Sequence, residues 1–373
     1  MPLLAYVVNT GSNDISVIDT SQCRVIATIP VGDSPQMAAL TPDGSCMYVT
    51  NCNANNVSVI DTSTNAVIET IFVGSSPIGI EVSPDGTRAY VANAGSNDVS
   101  VIDTDSNTVV ATIMVGTGPE DIAFTPDGIL AFVTNYGSND VSIINTAIND
   151  VVGTIPVGNE PLGLSISPTR HGTCAYVTNS GENTVSVIDM VTKKEIAKLS
   201  ANSFPEDVVL TPDGARAYIV NADSNDVVAI DTYTFEEIAT TVVGNGPAGI
   251  AITPDGSHVY VANIDSNTVS MIRTLDNVVV ATIHVGTNPG GIASHGGKLT
   301  LNRGKSKKEV VNKNQEATNS EEVVSGGNSN TKQPFFRRII RGVGTGPNTG
   351  PGTAPGTGPG TGEPDPNMDD DSE

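Results

Sequence analysis

The sequence predicts an all-β fold: a seven-bladed β-propeller of four-stranded blades, followed by a tail of different composition. Three observations predict it. A short phrase built on an aromatic residue recurs at a fixed period, each period divides into four β-like runs, and the first and last periods are incomplete in complementary ways. The aromatic falls at Tyr6, Tyr48, Tyr90, Phe132, Tyr176, Tyr218 and Tyr260, with successive gaps of 42, 42, 42, 44, 42 and 42 residues. The wider gap has a local cause. "SPTRHGT" at 167–173 stands where "SPDGT" stands at 83–87, an insertion of two residues. Self-similarity at such a period is the mark of a repeat architecture.

The four runs are clearest between residues 120 and 157: EDIAF (120–124), AFVTN (131–135), DVSIIN (140–145) and VVGTIPV (151–157). They are rich in Val, Ile, Phe and Thr, whose branched or aromatic side chains suit a pleated strand. TPDG, YGSN and TAIN separate them, and these are turn sequences by composition. In Pro-Asp-Gly, Pro fixes φ and Gly accepts a positive φ, which suits a tight turn. No window carries a 3.6-residue apolar period. Four strands per unit match one propeller blade. The chain opens at LAYVVN, a second strand, and its last repeat-like phrase, PGGIAS (289–294), aligns with the innermost strand PAGIAI (247–252). If that strand completes the first blade there are seven of every strand type, and the ring closes.

The phrases Y-V-[TA]-N, V-S-V-I-D-T, V-G-x-x-P and [TS]-P-D-G resemble the YVTN family of β-propeller repeats, which is similar to propellers of archaeal and bacterial surface-layer and cell-surface proteins. The resemblance covers residues 1 to about 296 and touches every blade. It implies the fold, and a surface-associated binding role. It does not imply one activity, because propellers host lyases, lactonases, dehydrogenase subunits and pure scaffolds.

Composition excludes other classes. The chain carries 18 basic and 41 acidic residues, a net −23, which repels phosphate backbones and argues against nucleic-acid binding. With no Trp, the core must be built from Val, Ile and Ala. Cys23, Cys46, Cys52 and Cys174 contain no C-x-x-C pair, and an extended run between Cys46 and Cys52 keeps them too far apart for a disulfide. They read as unpaired thiols of a reducing compartment. "MPLLAYVVN" lacks a basic n-region, and no stretch reaches the ~18 apolar residues of a membrane span. The expectation is a monomeric cytoplasmic propeller, with delivery to a cell surface by a non-classical route left open.

The tail is expected at 297–373, as an extended, poorly ordered linker. It holds ten of the 18 basic residues, all between Lys298 and Arg341, and ten acids, the last six between Glu363 and Glu373. The propeller alone therefore carries the −23. The Gly/Thr/Pro-rich stretch 342–362 lacks the strict glycine period of collagen. PFFRRIIRG (334–342) is the odd patch, read as a local sticky segment or a docking motif for an acidic surface, an anionic lipid or the propeller itself.

A residue written in every blade serves what every blade needs. Asn9, Asn51, Asn93, Asn135, Asn179, Asn221 and Asn263 stand at the strand-to-turn junction of all seven, where Asn can satisfy backbone groups or take the left-handed conformation. Asp19, Asp61, Asp103, Asp189 and Asp231 of V-I-D-T read as turn formers, replaced by Asn145 and Arg273 in two blades. Local function should lie in departures from the repeat. The two residues after the Pro of V-G-x-x-P vary most, and two blades place Glu120-Asp121 and Glu206-Asp207 there, at the channel mouth. Four carboxylates converging at one point suit Ca²⁺ or another divalent cation, or a basic peptide; otherwise they are an acidic rim. No other cofactor is indicated. His171, His258, His284 and His295 show no metal or catalytic spacing, and no nucleophile elbow occurs. The leading reading is a non-enzymatic propeller scaffold for protein or cell-surface binding. The alternative is a lactonase-like hydrolase with a divalent metal in the channel.

Overall fold

The computed structural model describes residues 3–169 and 172–295. The expectations for the tail, for PFFRRIIRG and for His171 fall outside the described residues. Every repeat folds as one antiparallel sheet of four strands, and seven such sheets form the structure, with no helix among the described residues. Counting from the first innermost strand, blade 1 runs outward through Pro35–Leu40, Cys46–Asn51, Asn56–Asp61 and Ala66–Phe72. Blades 2 to 6 begin at Pro77, Pro119, Pro161, Pro205 and Pro247. Blade 7 joins the two ends of the repeat region. Its innermost strand, Pro289–His295, pairs with Leu4–Asn9 through Leu4↔His295 and Val7↔Ile292. Each innermost strand packs on the next, and Pro289–His295 packs on Pro35–Leu40, so the ring is closed. The two-residue insertion lengthens one hairpin: Pro161–Thr169 and Gly172–Asn179 pair out to Thr169↔Gly172.

A strand between two neighbours buries both faces, so the second and third strands of each blade are apolar almost throughout rather than alternating. Ala5, Tyr6, Val7 and Val8 are all buried. Tyr6 and Val8 pack with Met47, Val49 and Ile60 of blade 1, while Ala5 and Val7 pack with Tyr260 and Val269 of blade 6. The core is thus seven interblade clusters, one per interface. Burying one Val or Ile side chain contributes about 1.5–3 kcal/mol, and that burial exists only while neighbouring blades stay in contact.

Polar side chains fix the interfaces further. Tyr48, Tyr90 and Tyr218 each direct a hydroxyl into the next blade, donating to Asn107 Oδ1 at 2.8 Å, Asn149 Oδ1 at 2.8 Å and Asn277 Oδ1 at 2.9 Å. Where the Asn is missing the pair changes: Phe132 is matched with Lys193, Tyr176 with Phe235, and Tyr260 with Cys23.

A second set of asparagines, in the S-N-D and S-N-T turns, links all seven blades. Asn13, Asn55, Asn97, Asn139, Asn183, Asn225 and Asn267 have φ between 52 and 60°. Each Oδ1 accepts the N–H of the turn that enters the next blade: Asn13 from Ser34, Asn97 from Gly118 and Asn267 from Asn288, all at 2.8 Å. The left-handed conformation expected among the YVTN asparagines belongs to these residues instead. Asn9 and its equivalents remain in the strand, and in six of the blades their Nδ2 donates to two side chains of the third strand, Asp14 at 2.7 Å and Ser16 at 2.9 Å in blade 7.

Tyr48→Phe is expected to lower stability by about 1 kcal/mol, since it removes one interblade hydrogen bond. Asn97→Ala should cost more, about 2–3 kcal/mol, because it leaves the Gly118 N–H without its acceptor and places Ala in the left-handed region. Chemical denaturation of the two variants checks the order; equal losses would mean that the turn carries no more than the tyrosine does.

Candidate functional site

The mouth of the channel is built where the V-G-x-x-P turns deliver seven innermost strands to the centre. Each strand bulges just after its Pro, as between Pro119 and Ile122. A bulge frees backbone groups from the ladder, and the threonine of YVTN collects them. Thr50 Oγ accepts the Met37 N–H at 3.1 Å and donates to Ile78 O of blade 2 at 2.7 Å. Thr134 joins the Asp121 N–H to Leu162 O of blade 4, and Thr178 joins the Gly163 N–H to Glu206 O of blade 5.

The next residue decides how closely adjacent innermost strands approach. In four blades it is glycine, and the backbone of the next strand fills the space a side chain would take. A Cβ on Gly291 would stand 2.7 Å from Gln36 O, and one on Gly79 would run into Glu120 O. In blades 3 and 5 it is aspartate, and the carboxylate bridges the gap. Asp121 accepts the N–H of Ile122 at 2.8 Å and that of Leu164 in blade 4 at 2.9 Å. Asp207 accepts the N–H of Val208 at 2.8 Å and that of Ile250 in blade 6 at 3.2 Å. Glu120 and Glu206 are buried beside them. The sequence places these four acids at one channel mouth; the structure sets each aspartate to clamp its own next neighbour, with blade 4 lying between the two pairs. Among the described residues, no three His, Cys, Asp or Glu side chains come together as a metal-holding group.

One channel residue was not singled out from sequence. Glu81 lies two residues beyond Gly79 on its innermost strand, where the other blades carry Ala39, Ala123, Ser165, Val209, Ala251 and Ala293. It is open to channel water, yet protein surrounds it closely. That confinement, with Asp121 adding like-charge repulsion, pushes its carboxyl up to about 8. Its signal in the sequence was a lone acid at an otherwise small or apolar position.

A second group of acids belongs to turns at the opposite end of the strands. Asp19 holds the hydroxyl and N–H of Ser21, and Asp255 holds the hydroxyls of Thr253 and Ser257. These bonds pull Asp255 down to about 2 and hold Asp19 below the ordinary carboxylate range. His258 meets Ser257 Oγ at 2.8 Å, and His284 ends an outermost strand. None of the four cysteines is in a disulfide, and Cys52 and Cys174 are buried.

This geometry has many counterparts. Hydrazine synthase from Kuenenia stuttgartiensis superposes with a TM-score of 0.64 at 26% identity, over 73% of this chain and 92% of that one. A functionally unknown protein from Desulfotomaculum acetoxidans gives 0.69 at 18%, over 78% and 98%. A candidate 6-phosphogluconolactonase from Bacteroides uniformis gives 0.68 at 18%, over 79% and 100%. The chain is a seven-bladed β-propeller. Residues 97–240 of this propeller match the family described as Choice-of-anchor I domain, which is less than half of the chain. No curated protein matches it. The propeller contains no helix long and apolar enough to cross a membrane among its described residues.

Because the Glu81 carboxyl is raised in the folded state, it favours folding below the unfolded carboxylate range, near pH 4.3, and that contribution is lost as pH rises toward 8. Glu81→Gln is therefore expected to gain in melting temperature over the native chain between pH 4.5 and 8.5. A difference independent of pH would show that Glu81 titrates as an ordinary surface acid.

Proposed function

We propose that this propeller is a non-enzymatic scaffold that presents its perimeter to another protein. The observation that carries the reading is a belt on the outermost strands. Ile26, Ile68, Val110, Val152, Ile196, Ile238 and Val280 occupy one position in all seven blades, and each is 41 to 55% exposed. Outermost strands also present backbone groups with no further strand to pair with, which is the surface that strand-adding partners use. The channel mouth supports the same reading, since its aspartates are engaged in joining blades. The name of the matched family speaks of an anchor, in keeping with a cell-surface setting and with the surface-layer resemblance of the repeats.

Glu81 favours a second reading, a hydrolase acting in the channel. A carboxyl near 8 with an aspartate beside it suits general acid–base work at neutral pH, and one protein of this fold is a candidate lactonase. A divalent ion, if the chemistry used one, would draw on Glu120, Asp121, Glu206 or Asp207.

Two measurements separate the readings. Capture from the source cell with the native chain and with Ile68→Thr/Val110→Thr/Ile238→Thr should return a partner only with the former. Lactone hydrolysis together with metal analysis should give neither turnover nor a stoichiometric ion. Turnover abolished by Glu81→Gln, with partner capture unaffected by the belt substitutions, would reverse the assignment.

A further inference from the structure

The geometry points to the lower rim of blades 3 to 6 as the docking surface for the chain's own segment Pro334–Gly342. The inference does not depend on the perimeter belt or on any channel chemistry. The turn between the third and outermost strands is written with polar residues in three consecutive blades: Ser21 in blade 7, Ser63 in blade 1 and Asp105 in blade 2. In the next four the same position is Ala147, Val191, Tyr233 and Leu275, all exposed, and in blade 3 Ile148 follows it. Ile148, Val191, Tyr233 and Leu275, with Ile129 on the adjoining turn of blade 3, are 55 to 84% exposed. Scattered exposed apolar residues are ordinary, but a run at one turn across consecutive blades forms a patch, and patches mark contact sites.

Three observations select the occupant. First, the chain leaves the ring on this rim. His295 pairs with Leu4, and Leu4 with Asp19, so the end of Pro289–His295 lies at the edge that carries the turns after Asp19 and its equivalents. Second, reach is ample: the 38 residues from 296 to 333 span on the order of 100 Å when extended. Third, the chemistry is complementary. PFFRRIIRG offers Phe335, Phe336, Ile339 and Ile340 to an apolar arc and Arg337, Arg338 and Arg341 to the acids around it, with no acid of its own. Those acids include Asp127, Asp189, Asp213 and Asp255, each held ionised by hydrogen bonds from its own turn. Of two nearby cations, Arg273 is taken up by Asp276 at 2.5 Å, while Arg216 donates to Thr274 O at 2.5 Å and keeps its charge near Asp213. Among the described residues, Arg216, Lys193 and Lys194 remain as the opposing charges on this rim.

Limited trypsin digestion of the full chain, followed by mass spectrometry, tests the contact. Cleavage after Arg337, Arg338 and Arg341 should be slower than after Lys305, Lys307 and Lys308 by about tenfold, since proteolysis follows the undocked population. Val191→Ser/Tyr233→Ser/Leu275→Ser takes the serine of blades 7 and 1 and should keep the native melting temperature while abolishing the protection. Phe335→Ser/Phe336→Ser leaves the ring untouched and should abolish it equally. Equal cleavage rates in the native chain would overturn the inference. So would protection that scales with protein concentration, which assigns the rim to a second copy, or protection that appears only with anionic vesicles, which assigns the segment to lipid.

Discussion

The ring depends on one hydrogen bond repeated seven times, from the turn that enters each blade to a left-handed asparagine of the blade before it. To pass from an outermost strand to the next innermost strand, the chain must cross the top of an interface, where its N–H groups lose water. Leaving one without an acceptor costs about 1–3 kcal/mol. The residue that supplies the acceptor sits in a hairpin turn needing positive φ, and Asn tolerates that conformation better than other side-chain-bearing residues. Both demands fall on one position. All seven blades keep Asn there, with distances of 2.8 or 2.9 Å.

Other repeated positions are looser because their tasks can be shared. The YVTN threonine is replaced by Val8, Ala92, Val220 and Ala262 in four blades. Blade 5 shows compensation within one site. Elsewhere a glycine packs against the YVTN asparagine, as Gly74 does against Asn93, and a serine accepts from it. In blade 5 the glycine is Asn202 and the serine is Val228. Asp226 absorbs both changes, accepting from Asn221 at 2.8 Å and from Asn202 at 3.0 Å. The polar demand of the pocket is met although two of its three usual groups have changed.

These differences explain what could be read from sequence. Period, strand number and closure by the two ends of the repeat region were legible, because a repeat reports its own architecture. Partnership between blades was not. Tyr48 and Asn107 lie 59 residues apart, one period plus part of another, and only the curvature of the ring brings them together. The two asparagine sets were equally visible, yet their roles were not separable, since a strand end and a left-handed turn differ by four residues. The Glu120-Asp121 and Glu206-Asp207 pairs stand out in the sequence as departures from the repeat. That Asp121 and Asp207 each bridge to backbone follows from how closely adjacent innermost strands approach, which a sequence does not state. Glu81 was legible only as a lone acid where the other blades carry small or apolar residues.

Outside these seven invariant asparagine bonds the blades differ, and the lower rim is one of the places where they do. On that rim the electrostatics are fixed in an unusual way. The turn aspartates gain their hydrogen bonds from their own loops, so their charges persist far below neutral pH. The described ring holds nearly all of the acidic excess, while the basic residues beyond it precede Gly342. An attraction between the two would therefore not be switched by these aspartates near neutral pH. It would instead weaken with ionic strength, as the screening length falls from about 10 Å at 0.1 M salt to about 3 Å at 1 M, leaving the apolar arc as the part of the surface that salt does not switch off.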